Sequence, residues 1–109
     1  MIFVIDIDST LFNTNQSFGT PKKYIEVTPN TKVIDKINRL YKEGHIIKIY
    51  TARGEIEGID IKEVTLNELK KWGVKYHEIY FNKPKGDIYI DDRAITPEMF
   101  IKYDIWREE

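Results

Sequence analysis

The sequence predicts an α/β fold, a Rossmann-like three-layer sandwich built on a small, mainly parallel sheet. Short apolar runs, which are typical of buried strands, alternate along the chain with longer segments of helical spacing. Such alternation favours a parallel sheet whose strands are connected by helices. The chain has 109 residues, which predicts a single domain over residues 1–109.

Four apolar runs predict the strands. Ile2–Ile5 is continuously apolar, as expected for a strand covered on both faces. The second strand is predicted at Ile46–Tyr50, the third at Ile79–Phe81 and the fourth at Ile88–Ile90. Residues 10–27 fit neither a strand nor a helix period, and an irregular stretch of that length in a small domain is often functional.

Helix signals lie between these runs. Thr28 and Pro29 predict a helix start, as an N-cap followed by proline in the first turn, and Gly44 predicts its end. Apolar residues follow the start at helical spacing: Val33, Ile37, Leu40 and Tyr41. A second helix is predicted over residues 60–72, and Thr96-Pro97 opens a last short one.

Composition narrows the class of protein. Hydrophobic residues make up 41% of the chain, so a packed core is expected. The formal net charge is -1, so no strong overall field attracts nucleic acid or an anionic membrane. The absence of cysteine excludes disulfides, a thiol nucleophile and cysteine-ligated zinc. The apolar start is too short to span a bilayer and lacks a basic signal-peptide region, so we expect a cytoplasmic protein.

Polar residues follow each predicted strand where it ends. They are Asp6, Asp8, Ser9 and Thr10, then Thr51, Ala52 and Arg53, then Lys83 and Lys85, then Asp91, Asp92 and Arg93. Because ligands bind beyond the carboxyl ends of parallel strands, we expect these side chains to gather on one rim. Neighbouring carboxylates raise each other's pKa unless a cation intervenes, and Mg²⁺ prefers oxygen ligands and keeps water or phosphate oxygens. The pattern therefore indicates a magnesium site that receives a phosphate.

Such a rim has the groups that phosphoryl transfer requires. A carboxylate nucleophile that passes through an acyl phosphate is a known covalent route. Lys83 and the Thr51 hydroxyl are suited to hold the phosphoryl oxygens and to stabilise charge in the transition state. Lys85 is the alternative to Lys83 in that role.

These residues resemble the haloacid dehalogenase superfamily of phosphohydrolases. The family's motifs occur in order, between residue 2 and about residue 95: Asp6-x-Asp8-x-Thr10, Thr51, Lys83 and Asp91-Asp92. The chain is most similar to the minimal branch without a cap domain, and to small phosphatases of capsule or sugar-phosphate metabolism. The resemblance implies a squiggle and hairpin flap over approximately residues 10–28. Ser9 departs from the family, in which most members have glycine.

The resemblance assigns a role to each matched residue. It implies that Asp6 is the nucleophile, and that Asp8 is first the general acid and then the base that activates water. Magnesium would be held by the Asp6 carboxylate, the Asp8 backbone carbonyl and Asp91, with Asp92 as a second ligand or outer-shell acceptor. Which of Asp91 and Asp92 binds the metal directly stays open.

The remaining residues are expected to bind the substrate. Thr51 and Lys83 would hold the phosphoryl group, and Thr10 would orient Asp8 or the loop. The other expected substrate contacts are Ser9, Ala52, Arg53 and Arg93.

The predicted function is that of a magnesium-dependent phosphate monoester hydrolase with an aspartyl-phosphate intermediate, acting on a small phosphorylated metabolite such as a sugar phosphate. The first alternative is a polynucleotide 3′-phosphatase, a class with a similar Asp-Asp-Arg ending. The second is a receiver-like phosphoacceptor switch, which is disfavoured because no aspartate ends the second or third strand. No membrane partner is expected, nucleic acid is disfavoured without an extended basic stripe, and a homo-oligomer stays open.

Overall fold

The order of strands and helices follows the predicted alternation. The computed structural model describes residues 1–13 and 27–104. Their elements in chain order are β1 (Ile2–Ile5), β2 (Phe12–Asn13), β3 (Thr28–Pro29), α1 (Thr31–Lys42), β4 (Ile46–Tyr50), α2 (Ile61–Lys71), β5 (Glu78–Tyr80) and α3 (Pro97–Lys102). The predicted flap begins and ends in the antiparallel pair β2 and β3, while its middle, residues 14–26, lies outside the described residues.

The central sheet contains β1, β4 and β5, which are parallel and adjacent in that order. The register aligns Ile5 with Ile49 and Ile49 with Ile79. These pairings confirm the predicted α/β fold with a small, mainly parallel sheet flanked by helices. Parallel strands place their carboxyl ends at one edge of the sheet, so the residues that follow these three strands lie near one another.

The core lies on one face of this sheet, which corrects the expectation that Ile2–Ile5 is covered on both faces, since Ile2 is 58% and Val4 61% exposed. Ile5, Ile47 and Ile49 are buried there, since alternate residues of a strand point to the same face. The helix α1 contributes the apolar stripe that the sequence predicts: Val33, Ile34, Ile37 and Leu40. Leu69 of α2 and Phe100 of α3 join the same cluster, so all three helices pack into one core.

The starts of α2 and α3 agree with the sequence signals. Asp60 precedes α2, and its side chain accepts a hydrogen bond from the backbone N–H of Glu63 at 3.1 Å. Thr96 caps α3 in the same way, with Pro97 in the first turn. None of the helices in the described part of the chain is long and apolar enough to cross a membrane.

The predicted start of α1 at Thr28 and Pro29 is wrong. These two residues form β3, and Pro29 pairs with Phe12 of β2. Asn30 then precedes the helix, with no side-chain cap. The antiparallel pairing with β2 holds the two residues extended, so a long-range contact overrides the local cap signal.

The predicted fourth strand at Ile88–Ile90 is also wrong. Ile88 is 81% exposed and Ile90 is 97% exposed, and the segment pairs with no strand of the described residues. Instead, the Tyr89 hydroxyl donates to the carbonyl of Pro84 at 2.6 Å and accepts from the backbone N–H of Gly86 at 3.0 Å. Such local side-chain bonds compete with strand pairing, and here they close a loop.

Candidate functional site

Asp6 directly follows β1 and contacts a lysine that comes after β5. The Lys83 ammonium lies 3.5 Å from Oδ1 of Asp6, with the two side chains 19% and 35% exposed. The same ammonium lies 4.3 Å from the centre of the Tyr89 ring. Of the two lysines that the sequence left open, Lys83 is therefore the one at Asp6, whereas Lys85 is exposed.

Opposing effects act on the ionisation of Asp6. Burial raises the pKa of its carboxyl above the ordinary value, and the Lys83 ammonium opposes that rise. The backbone N–H of Ile7 also lowers the pKa, while the charge of Asp8 raises it. Lys83 thus supports a negative charge that the surroundings of Asp6 otherwise disfavour.

A tight turn after β1 presents both aspartates. The carbonyl of Ile7 accepts the backbone N–H groups of three following residues at 2.9 to 3.1 Å: Thr10, Leu11 and Phe12. Ser9 has a φ of 62°, and among the described residues it is the one non-glycine residue with positive φ. Glycine adopts this conformation most readily, which agrees with the glycine that the resemblance leads one to expect there. Ser9 is exposed and Thr10 is half-buried, so substrate contacts at these two residues stay predictions.

Thr51 lies beneath the rim. It is fully buried, and its hydroxyl accepts the backbone N–H of Arg53 at 3.1 Å. Its own backbone N–H donates to Tyr80 at 2.9 Å, and its carbonyl accepts from the backbone N–H of Lys83 at 3.2 Å. Thr51 therefore sets the backbone position of Lys83, while its buried hydroxyl offers no surface to a phosphate in this conformation. The neighbouring Ala52 is half-buried.

Arg53 is buried, which corrects the prediction that it contacts substrate. Its side chain has 0% exposure. The guanidinium donates to Asp8, from Nε to Oδ2 at 3.0 Å and from Nη2 to Oδ1 at 2.9 Å. It also donates from Nη1 to Oε1 of Glu68 at 2.5 Å and to the hydroxyl of Thr65 at 2.9 Å. Two carboxylates and a hydroxyl satisfy the donors of a charge that would otherwise be costly to bury. Asp8, Arg53, Thr65 and Glu68 are called the Arg53 cluster below.

Charges within the Arg53 cluster compensate one another. Burial acts to lower the pKa of the Arg53 guanidinium, but its pairing with Asp8 and Glu68 outweighs burial and raises that pKa. Burial raises the pKa of Glu68, and the hydrogen bond from Arg53 opposes the rise. Oε2 of Glu68 is buried with no hydrogen-bond partner within the described residues. Asp8 thus uses both of its oxygens on the guanidinium, and Glu68 uses one.

Thr65 and Glu68 were not predicted as site residues. Both lie on the buried side of α2, together with Ile61 and Leu69. The available signal was their position, since residues spaced by three, four and seven lie on the same face of a helix. A carboxylate on an apolar helix face requires a buried partner, and the sequence alone did not show that Arg53 is that partner.

Asp91, Asp92 and Arg93 lie at the surface, and their gathering with Asp6 stays a prediction. All three are exposed. Oδ1 of Asp91 accepts the backbone N–H of Arg93 at 2.8 Å, which is a local turn. The fourth strand does not form, but Tyr89 of the same segment lies 4.3 Å from the Lys83 ammonium that contacts Asp6.

The predicted magnesium site stays a prediction. Residues 1–13 and 27–104 contain no group of three or more acidic or histidine side chains that could hold a metal ion. The Asp8 carboxylate is bound to Arg53. Magnesium is often held by one or two carboxylates together with waters and substrate phosphate. Asp6 fits such a smaller set of ligands, and the roles of Asp91 and Asp92 stay predictions.

Comparisons with known proteins give structural relatives. No protein-family model and no curated protein matches the chain. A chain of the Pnkp1/Rnl/Hen1 complex superposes with a TM-score of 0.55 at 19% identity, over 93% of this chain and 33% of that one, which shows a shared fold. The crystal structure of a target protein from Vibrio cholerae superposes with a TM-score of 0.81 at 30% identity, over 96% of this chain and 90% of that one. At that identity and coverage, the chain belongs to the same family as the Vibrio cholerae protein.

Proposed function

We propose that this chain is a phosphate monoester hydrolase that uses Asp6 as a covalent nucleophile. The observation that carries the proposal is the ion pair at the carboxyl edge of the parallel sheet, in which Nζ of Lys83 lies 3.5 Å from Oδ1 of Asp6. A carboxylate alone repels a phosphate monoester, whereas an adjacent ammonium attracts the phosphoryl oxygens. The resemblance to the haloacid dehalogenase superfamily supports the same assignment.

The proposed reaction has two steps. First, an oxygen of Asp6 bonds to phosphorus, the bond from phosphorus to the leaving oxygen breaks, and that oxygen receives a proton. Second, water attacks the phosphorus of the aspartyl phosphate, the bond to Asp6 breaks, and the water gives up a proton. We assign both proton transfers to Asp8, two residues along the same turn, through Oδ2, which accepts one bond from Arg53 and keeps a second lone pair. The net reaction converts a monoester and water into an alcohol and phosphate.

We propose Mg²⁺ as the cofactor. When bound, the ion supplies positive charge that lessens the repulsion between a carboxylate and a phosphate. Among the described residues, Asp6 is the carboxylate at the rim that fits as its ligand. Chelator should therefore abolish phosphate release and added Mg²⁺ should restore it, and full activity in chelator would remove the metal from the proposal.

The substrate that we propose is a small phosphorylated metabolite, with sugar phosphates as the first candidates. A polynucleotide 3′-phosphate end is the second candidate. It is supported by the shared fold with a chain of the Pnkp1/Rnl/Hen1 complex. The name of that complex suggests a polynucleotide kinase-phosphatase. The formal net charge of -1 gives a long nucleic acid no overall attraction, which is why this candidate comes second.

A substrate panel tests the proposal. Sugar phosphates, nucleoside 3′-monophosphates, a 3′-phosphorylated oligonucleotide and p-nitrophenyl phosphate are incubated with the wild type, Asp6→Asn and Asp35→Asn. Asp35 is exposed on α1, so its variant controls for the same chemical change away from the rim. We expect many phosphates released per wild-type chain, the same for Asp35→Asn, and none for Asp6→Asn. One phosphate retained per chain without turnover would instead support the receiver-like switch.

A further inference from the structure

The Arg53 cluster joins three separate parts of the fold. Asp8 comes from the turn after β1, Arg53 from the loop after β4, and Thr65 and Glu68 from α2. Side-chain exposure increases across the cluster, from 0% at Arg53 and 10% at Glu68 to 22% at Asp8. The carboxylate of Asp8 is therefore the charged end that reaches the surface, beside Asp6.

The guanidinium is held on both sides. Towards the rim, Nε and Nη2 form two roughly parallel bonds to the two oxygens of Asp8, at 3.0 and 2.9 Å. Such a pair of bonds sets the rotation of a carboxylate as well as its position. Towards α2, Glu68 and Thr65 accept from Nη1. The Thr65 hydroxyl in turn donates to the carbonyl of Ile61 at 2.7 Å, which fixes that acceptor on the helix.

Folding stability alone explains this arrangement poorly. Buried ion pairs are often no more stabilising than apolar residues of the same volume, because both charges lose their hydration. Oε2 of Glu68, which is buried without a partner in the described part of the chain, adds a further cost. The cluster does, however, deliver one carboxylate to the rim in a single defined orientation.

We propose that Arg53 is a positioning residue for Asp8: held from behind by Glu68 and Thr65, its guanidinium fixes the orientation of the Asp8 carboxylate beside Asp6. This inference rests on the proposed function, in which Asp8 moves protons at that rim. It makes α2 part of the support of the reacting groups.

The test compares Arg53→Lys with Arg39→Lys. Lysine keeps the charge and loses the planar fork. Arg39 is the matched control, because it lies on α1 with a side chain that is 57% exposed and a 3.9 Å contact to Glu43. We expect kcat of Arg53→Lys to fall about a hundredfold, since small misplacement of a reacting group has effects of that size. KM should stay within about twofold, because ground-state binding is unchanged, and Arg39→Lys should match the wild type.

A structural role predicts a different result. If Arg53 only stabilised the fold, kcat per folded molecule would equal that of the wild type, with the folded fraction measured by urea unfolding. A second variant, Thr65→Val, leaves every charge in place and removes one anchor of the guanidinium, so kcat should fall in the same direction by less. Folded Arg53→Lys and Thr65→Val with wild-type kcat would overturn the inference.

Crystal structures separate this inference from the proposed function. If the wild type hydrolyses no monoester, the proposed function fails, and the orientation of Asp8 decides the positioning role. A rotated or multiply oriented Asp8 carboxylate in Arg53→Lys supports that role. An unchanged orientation overturns it.

Discussion

Arg53 and Arg93 occupy the same place in the sequence pattern but opposite environments in the molecule. Each is the third residue after a strand that the sequence predicts. The side chain of Arg53 has 0% exposure and contacts Asp8, Thr65 and Glu68, whereas Arg93 is exposed. The strand before Arg53 pairs on both sides, with β1 and with β5, but Ile88–Ile90 pairs with no described strand. In this molecule, the same sequence pattern buries its arginine where the preceding strand is paired within the sheet, and leaves it exposed where that strand does not form.

This contrast divides the predicted rim into two parts. The sheet-bound part follows β1, β4 and β5 and contains Asp6, Asp8, Thr51, Arg53 and Lys83. The loop part contains Asp91, Asp92 and Arg93, all of them exposed. The sheet-bound part holds its side chains with long-range contacts, while the loop part makes a local turn, so substitutions in the two parts should differ in effect.

The largest difference is expected between Asp6→Asn and Asp91→Asn. Removing the nucleophile should lower kcat on the order of 10⁴-fold, as removal of a reacting group does in other enzymes. Asp91→Asn should lower it by much less, because Asp91 bonds locally to Arg93. Initial rates at saturating p-nitrophenyl phosphate and Mg²⁺ measure both, with circular dichroism as the check of folding.

Equal losses in these two variants would break the comparison. They would mean that the loop part reaches the end of β1 during the reaction. Asp35→Asn, on the exposed side of α1, should keep wild-type rates and so controls for the change from aspartate to asparagine.

The next difference concerns stability and involves the two arginines. Arg53→Ala leaves Asp8 and Glu68 as carboxylates without their cation, and breaking a buried pair in this way costs about 3–5 kcal/mol. Arg93→Ala changes an exposed side chain and should stay within about 0.5 kcal/mol of the wild type. Urea unfolding, followed by circular dichroism, gives both free energies of unfolding. Similar values for the two variants would contradict the burial of Arg53.

The sequence predicted the sheet-bound strands well because their signals are local. Ile2–Ile5 and Ile46–Tyr50 are strands with the predicted bounds. Short runs rich in isoleucine and valine between helical segments are typical of strands in a parallel sheet. Ile88–Ile90 carries the same signal over only three residues. Whether so short a run pairs depends on a partner strand elsewhere in the chain, which the local pattern does not contain.

The Arg53 cluster was beyond sequence reasoning for a related reason. Its contacts link Arg53 to Asp8 over 45 residues, and to Thr65 and Glu68 over 12 and 15 residues. The residue types indicated charged groups at a rim, where an arginine is most simply assigned to an anionic substrate. Only the hydrogen bonds from Arg53 to Thr65 and Glu68 of α2 show that the arginine faces inward.

A smaller effect separates the two lysines after β5. Lys83→Met should lower kcat/KM about 10²- to 10³-fold, as loss of one group that stabilises charge in the transition state does. Lys85→Met should have a much smaller effect, because Lys85 is exposed and it is the Lys83 ammonium that lies 3.5 Å from Asp6. The measurement is kcat/KM on p-nitrophenyl phosphate. The reverse order would assign the phosphate to Lys85.

The smallest effect is the pH dependence of stability that Asp6 produces. Burial raises the pKa of Asp6 in the folded protein, so the fold favours its protonated form. The stability that this provides is present below the unfolded pKa of about 4 and is lost as pH rises through the folded pKa. The Asp6→Asn variant has no titratable group at this position. The difference in free energy of unfolding, Asp6→Asn minus wild type, should therefore increase from about pH 4 to pH 7.

Lys83→Met sharpens this last test. Removing the ammonium that opposes burial raises the pKa of Asp6 further, so the loss of stability in Lys83→Met should extend to higher pH than in the wild type. Urea unfolding at a series of pH values measures both curves. A wild type that gains stability relative to Asp6→Asn as pH rises would mean that Lys83 outweighs burial, and that the charge of Asp6 is held by the fold before any phosphate or cation arrives.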